Sequence, residues 1–335
     1  MHRWAGPMIS SLRILRNADL SHVAVAPQSV LNAVRTALTE LGHGAAECPE
    51  KITVKVPTSV NYSMLGRSSA LSTVGFKTSF THWGPHNAEG HREKSYATTL
   101  TLYDDTTGAP ISMMDGAPIG ALRTPAVSAI LAQAVGCNPT TALVIGSGVQ
   151  GQQAAPFLIT EFPALSRLIL SGNHPEGLEK AKDLALKTAA RLGREIVIDL
   201  VRDPAPIACE CDLIIGAAGP DTSAVVTAHD LKENATVVVV GYGIDASVCH
   251  QAERVVTTSK QQMYLTGTDF ADAQGIMPEV TAELPALLAA QTPLRASSGI
   301  TFCYNSGLVL TDIAVGSVFA AAAIEQNLGV EVDLW

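Results

Sequence analysis

The stretch TALVIGSGVQGQQAA, residues 141–155, decides how this chain is read. A run of apolar residues breaks into Gly146, Gly148 and Gly151 and then into a segment suited to a helix. The glycines fit G-x-G-x-x-G, a dinucleotide-loop pattern that carries meaning only between a strand and a helix. A tight turn between strand and helix uses glycines too, so the match alone leaves both readings open. The spacing around it favours a nucleotide: a second strand ends near Ser171, which gives a βαβ unit of the expected length. The three glycines then have mechanical roles, which are a tight turn, backbone access for a pyrophosphate, and close packing of helix on strand. Ser147, Val149 and Gln150 fill the loop, where the unpaired N–H groups and dipole of the helix start favour a phosphate.

Working outward, the same alternation continues downstream. ALVIG (142–146), RLILSG (167–172), EIVIDL (195–200), CDLIIGAA (211–218), TVVVVG (236–241) and RVVTT (254–258) are strand candidates, and GLEKAKDLALKTAARLG is helical. Continuous apolar strands alternating with helices mark a parallel sheet covered on both faces. Upstream, QSVLNAVRTALTELGHG has apolar residues at helical spacing and glycines placed for a C-cap. Residues 51–115 differ: KITVKVP, STVGFKTSF, ATTLTLYD and PISMMDG are β-prone and split by turns such as DDTTG, which predicts an antiparallel sheet. ALRTPAVSAILAQAVG reads as a helix, and TFCYNSGLVLTDIAVGSVFAAAAIEQNLG as one long helix rich in small residues. The expected fold class is α/β, a Rossmann-type doubly wound parallel sheet plus a second, α+β domain built on an antiparallel sheet.

Composition narrows the partners. The 335 residues suffice for two compact units, and 47% hydrophobic against 16% charged residues is ordinary globular composition. A net charge of −9 repels nucleic acid and anionic membrane surfaces, so neither is an expected partner. VFAAAAI and TVVVVG, the longest apolar runs, fall far short of the about 20 residues that span a bilayer. MHRWAGPMISSLRIL carries no secretory pattern, and six cysteines in a chain of this size do not make a disulfide framework. A cytoplasmic location is expected. Cys209 and Cys211 lead into an apolar strand without ligand spacing, so they read as structural. His82, His86 and His91 in THWGPHNAEGH would share a face only on a helix; the glycines and proline there predict a loop at the mouth of the site. No metal is expected.

The tip of the second strand, LSGNHPEG, tests the nucleotide. An Asp or Glu there accepts from a ribose diol and repels a 2′-phosphate. Here Asn173 and His174 occupy the tip, and no carboxylate comes before Glu176. NADP(H) is therefore slightly preferred over NAD(H), although no arginine stands in that loop.

Just before the glycine loop lies MMDGAPIGALRTPAVSA, residues 113–129. Arg123 and Thr124 stand at the start of a helix, where a carboxylate or phosphate is well received; an exposed surface arginine is the alternative. Taken with LVIGSGVQGQQA, this segment resembles the ornithine cyclodeaminase/mu-crystallin family, in which D-G-x-x-x-x-x-L-R-T precedes a G-x-G-x-Q loop. The likeness extends to VGFKTSF around Lys77, to YDDTTGAPISMMDG, to CDLIIGAA and to NSGLVLTDIAV.

The resemblance implies a dinucleotide-binding domain over 124–302 and a substrate-binding and dimerisation domain over 1–123, completed by 303–335, in a homodimer. It implies that Lys77 and Arg123 face a substrate carboxylate beside the nicotinamide, and that Lys51 stands where an arginine is usual. An arginine's bidentate fork is then lost. Around the cofactor it places Arg123, Thr124, the loop residues 146–151, Asn173, His174, Ala217, Ala218, Gly241 and Ser306. It also implies hydride transfer between nicotinamide and the α-carbon of an amino or imino acid. Lys77 would donate a proton if another cation beside it lowered its pKa.

Two positions depart from the family. An aspartate two residues after the glycine of TVVVVG serves amine chemistry in cyclodeaminases and alanine dehydrogenases; here that place is Gly243, and Asp245 is the nearest acid and candidate base. Asn305 stands where lysine is common. The expected activity is reduction of an α-imino acid, such as pyrroline- or piperideine-2-carboxylate, to an L-amino acid. A cyclodeaminase or amino-acid dehydrogenase, and a non-catalytic mu-crystallin-like NADPH-binding protein, are the alternatives.

Overall fold

The computed structural model describes residues 11–86, 92–220, 222, 225–292, 294 and 298–333. The chain runs through β1 (Leu12–Leu15), α1 (Asn17–His22), α2 (Pro27–Gly42), β2 (Ala46–Glu47), β3 (Ile52–Val56), β4 (Ser59–Ser68), β5 (Thr73–His86), β6 (Arg92–Asp104) and β7 (Pro110–Asp115) into α3 (Gly116–Ala134). It continues as β8 (Thr141–Ile145), α4 (Val149–Glu161), β9 (Arg167–Ser171), α5 (Pro175–Arg191), β10 (Val197–Val201), α6 (Ala205–Ala208), β11 (Leu213–Gly216) and β12 (Thr236–Val239). The remaining elements are α7 (Ala246–His250), β13 (Arg254–Thr257), α8 (Lys260–Thr266), β14 (Ala282–Glu283), α9 (Leu284–Ala290), β15 (Thr301–Tyr304), α10 (Val309–Glu325) and β16 (Val330–Val332).

Two compact units result. The first comprises 1–25, 44–120 and 309–335; the second comprises 26–43 and 121–308. The first holds a sheet in the order β16-β1-β7-β6-β5-β4-β2, with β3 also on β4. It is antiparallel as expected except for β1, which lies parallel to β7. Period-two alternation along β5 buries Lys77, Ser79 and Thr81 on one face and leaves Phe76 and Phe80 on the other. The apolar stripe of α10 covers the buried face.

The second unit is a wholly parallel sheet in the order β10-β9-β8-β11-β12-β15-β13-β14. Each of β8, β9, β11 and β12 is buried nearly end to end, which is why these strands read as unbroken apolar runs.

The structure corrects three expectations. Thr301–Tyr304 is not the start of the last helix but the strand β15, paired with both β12 and β13. A four-residue apolar run beside a helix cannot be told from helix by periodicity, and partners on both sides decide it. His82 and His86 lie not in a loop but in β5, where ladder pairing with β6 extends the hairpin to His86; His82 is exposed, and His91 lies outside the described residues. The third concerns α2, which groups with the parallel-sheet unit: Arg35 bonds Gln133 of α3 and pairs with Glu161 of α4. Among the described residues no helix is long and apolar enough to cross a membrane, and no cluster of three His, Cys, Asp or Glu is arranged for a metal.

The lower edge of the parallel sheet is clasped by Asp212, one residue before β11. Its carboxylate accepts from the N–H of Thr140 (2.8 Å) and Thr141 (3.0 Å), from the Thr140 hydroxyl (2.9 Å) and from the Lys232 ammonium. Burial opposes its ionisation, but the Lys232 ammonium and the threonine donors prevail and hold the carboxyl down to about 2. A depressed folded-state pKa contributes stability that is present above the unfolded value of about 3.9 and is lost as pH falls from there towards 2. Asp212→Asn should therefore cost about 1–3 kcal/mol in urea denaturation at pH 7, and the gap to the parent should close as the titration is carried into that acid window.

Candidate functional site

The glycine loop between β8 and α4 has the geometry that a tight turn, an open cradle and a close-packed helix require. Gly146 has φ +136°, and a Cβ there would stand 2.4 Å from the carbonyl oxygen of Ala217. At Gly151 a Cβ would stand 1.9 Å from the carbonyl oxygen of Gly146, so the first turn of α4 lies directly on the end of β8. At Gly148 a Cβ would meet nothing within 4 Å, and Gly148 caps α4 with no side-chain hydrogen bond. The loop is closed by packing at both ends and open in the middle, which fits a pyrophosphate laid against the start of the helix. Gln152, absent from the sequence-based set, donates from Nε2 to the Ser147 carbonyl (2.7 Å) and holds the open segment in place.

Around the loop lie most of the residues expected near a cofactor. Ser147 is buried, and its hydroxyl accepts the His174 N–H (3.1 Å), tying the loop to the tip of β9 where Asn173 and His174 stand. Val149 is exposed. Ala218 exchanges backbone hydrogen bonds with Tyr242, and a Cβ on Gly241 would stand 2.6 Å from the Ala218 carbonyl oxygen, so the ends of β11 and β12 press together beside Gly146. The Ser306 hydroxyl is hydrogen-bonded with that of Thr258 (2.6 Å), which fixes the turn after β15.

Arg123 sits half-buried on α3 above that turn. Gly307, at φ +69°, makes the room: a Cβ there would stand 2.5 Å from Arg123 Nη1. Thr124 is buried, and its carbonyl accepts from Asn305 Nδ2 (2.9 Å), which also donates to the Ser128 hydroxyl (2.9 Å). Asn305 is thus a staple between β15 and α3. Its Oδ1 is buried with no hydrogen-bond partner.

In the first unit, Lys77 projects from β5 and meets Asp312 of α10, Nζ to Oδ1 2.6 Å, with side-chain exposures of 6% and 2%. The group beside Lys77 is an anion, not a second cation. The opposite charge at this distance offsets part of the cost of burying each group. Asp312 is missing from the sequence-based candidates. It lies 235 residues from Lys77 on a helix, and no local spacing signals such a pairing. Lys51 lies over the ring of Tyr62 at 5.2 Å. Tyr62 and Met64 face the same side of β4, and Met64 is the register partner of Lys77, so Lys51 and Lys77 address one face of the sheet.

Asp245 has a different role from the one expected. It is the N-cap of α7, its Oδ1 accepting the Ser247 N–H at 2.8 Å. The Ser247 hydroxyl and N–H hold its carboxyl below the usual range, which makes it a weak base. Gly243, where the family resemblance leads one to expect an aspartate, has φ +102°, a conformation that side-chain-bearing residues rarely adopt.

A model of the ornithine cyclodeaminase/mu-crystallin family matches residues 14–313. The chain belongs to that family. Among curated proteins similar to this chain, the nodulation efficiency protein NfeD of Rhizobium meliloti is 25% identical over 336 residues, covering 97% of this chain and 100% of that protein. The iminosuccinate reductase of Paracoccus denitrificans is 25% identical over 259 residues, 74% and 77% of the two chains. Among solved structures, the Δ1-pyrroline-2-carboxylate reductase of Thermococcus litoralis, in complex with NADH and L-proline, superposes with a TM-score of 0.79 at 22% identity over 96% of this chain and 100% of that one. At this identity the likeness shows a shared fold, in this chain a parallel and an antiparallel sheet.

Proposed function

We propose that this protein is an NAD(P)H-dependent reductase that converts an α-imino acid, a cyclic one such as pyrroline- or piperideine-2-carboxylate, into an L-amino acid. The observation that carries the reading is the missing base. Gly243 occupies the aspartate's place at φ +102°, and the nearest carboxylate is committed to capping α7. Deamination of an amine requires a group to take its proton; an imine is already electrophilic and needs only a hydride and a proton.

A bound NAD(P)H supplies the hydride, with NADP(H) favoured over NAD(H), and the open centre of the glycine loop is the place for its diphosphate. Lys77, paired with Asp312, is the cation for the substrate carboxylate and the proton source for the imine nitrogen. Arg123 is a second cation for the same acid group, and Lys51 a third, weaker one. In balance, hydride adds to the α-carbon, a proton adds to nitrogen, and C=N becomes CH–NH. We further propose a cytoplasmic homodimer. Ile52, Val54, Val56, Leu65, Phe76, Phe80 and Met113 are all exposed on the outer face of the first unit's sheet, an apolar surface large enough to call for a cover, and a second copy of the chain is the expected one.

The direct test follows loss of nicotinamide absorbance with pyrroline- and piperideine-2-carboxylate. Turnover with either, and no ammonia from ornithine or lysine, is the expected outcome. Silence with every imino acid, or ammonia release from a diamino acid, removes the reading.

A further inference from the structure

We propose that Arg202, together with Asn173, forms a subsite for the 2′-phosphate of NADP(H), an inference that rests on the nucleotide reading above. In the sequence the tip of the second strand has neither an acid for a ribose diol nor an arginine for a phosphate. The fold brings the cation from the neighbouring strand. Ser171 and Val201 are register partners across β9 and β10, and the Ser171 hydroxyl donates to the carbonyl of Arg202 at 3.3 Å. Arg202 therefore emerges beside the tip, level with the turn that carries Asn173.

Gly172, Asn173, Leu178, Leu200 and Arg202 line a cavity of about 870 Å³. Leu178 and Leu200 offer apolar walls to a flat heteroaromatic ring, while Asn173 and Arg202 supply N–H donors at its rim. A guanidinium presents a planar fork that matches phosphate oxygens, and an amide can donate alongside it. The Arg202 side chain is exposed, and among the described residues no ion pair engages it. Its neighbour Asp203 also lines the cavity; one of its oxygens accepts the Ala205 N–H (3.2 Å) at the start of α6, and its charge, like that of Glu179, opposes a bound phosphate.

Glu179 is the second acid on this cavity. It lies beyond the first turn of α5, not at the strand tip where a carboxylate grips a ribose diol. Its charge lowers affinity for a 2′-phosphate without creating a diol site, so Arg202 is required to offset it.

The test measures binding of NADPH and NADH by calorimetry, without substrate, to the full chain and to Arg202→Ala, Arg202→Glu and Glu179→Gln. A charge-assisted hydrogen bond to phosphate corresponds to about tenfold or more in affinity. The parent protein should bind NADPH about tenfold or more tightly than NADH, and Arg202→Ala should remove that margin through NADPH alone, leaving NADH within about twofold. Arg202→Glu should invert the order, and Glu179→Gln should tighten NADPH. The preference for 2′,5′-ADP over ADP should vanish in Arg202→Ala and shrink as salt is raised. A parent protein that prefers NADH, or an Arg202→Ala variant that weakens both nucleotides equally, overturns the subsite and leaves the nucleotide reading standing. Binding of neither nucleotide to folded parent protein overturns both.

Discussion

Lys77→Met should lower kcat/KM for the imino acid by about a thousandfold or more, since it removes both a charge-assisted bond to the substrate carboxylate and a proton donor. It should also destabilise the chain. Asp312, 2% exposed, loses the ammonium that balances its charge, and breaking a buried pair from one side typically costs about 3–5 kcal/mol. The two effects are separable. In Lys77→Met/Asp312→Leu both charges are gone, and replacing a buried pair by apolar side chains is often close to neutral. The double variant should regain most of its resistance to urea while activity stays lost. If the double variant regains turnover along with stability, Lys77 is a structural residue and the proposed role in catalysis falls. Asp312→Asn tests the other side: Lys77 then faces a neutral amide, so KM should rise more than kcat falls.

Gly151→Ala and Gly148→Ala should part company in the same way. The added methyl at Gly151 would lie 1.9 Å from a backbone oxygen, so α4 has to move off β8. Overpacking of this kind costs about 1–3 kcal/mol, and with the helix start displaced, affinity for NADPH should fall about a hundredfold or more. At Gly148 the methyl meets no protein atom within 4 Å, so stability should be unchanged. The methyl would nevertheless occupy the approach of the diphosphate, and NADPH affinity should still drop by about tenfold or more. Calorimetry and urea denaturation on both variants separate the cases. Undiminished nucleotide binding by Gly148→Ala would mean that no phosphate lies against the loop.

The elements legible in the sequence are those whose burial imposes a pattern. Five of the six quoted strands of the parallel sheet, all but the edge strand β10, are buried nearly end to end and so read as apolar runs, and β5 shows its alternation because only one of its faces is covered. What escaped depends on residues far apart in the chain. β15 is a strand because β12 and β13 flank it, and TFCY by itself carries no such information. Asp312 sits on an apolar helix with nothing nearby to mark it as the partner of Lys77. Asp245 is the nearest acid along the chain to the expected base, yet its side chain is turned to its own helix. For the glycine loop, by contrast, geometry and sequence pattern coincide, because Gly146 and Gly151 answer to a neighbour one strand or a few residues away while Gly148 leaves the cradle open.

The late arrival of β15 governs how the parallel sheet is assembled. Its four residues come from position 301 onward, yet they lie between strands made from positions 236 and 254. Until they emerge during synthesis, β12 and β13 have no ladder to join them, and each presents a bare row of amides and carbonyls to whatever strand is nearby. The last strand of this sheet to be made is therefore the keystone, and a chain cut short before it would hold the sheet in two pieces, each with an edge open to the wrong partner.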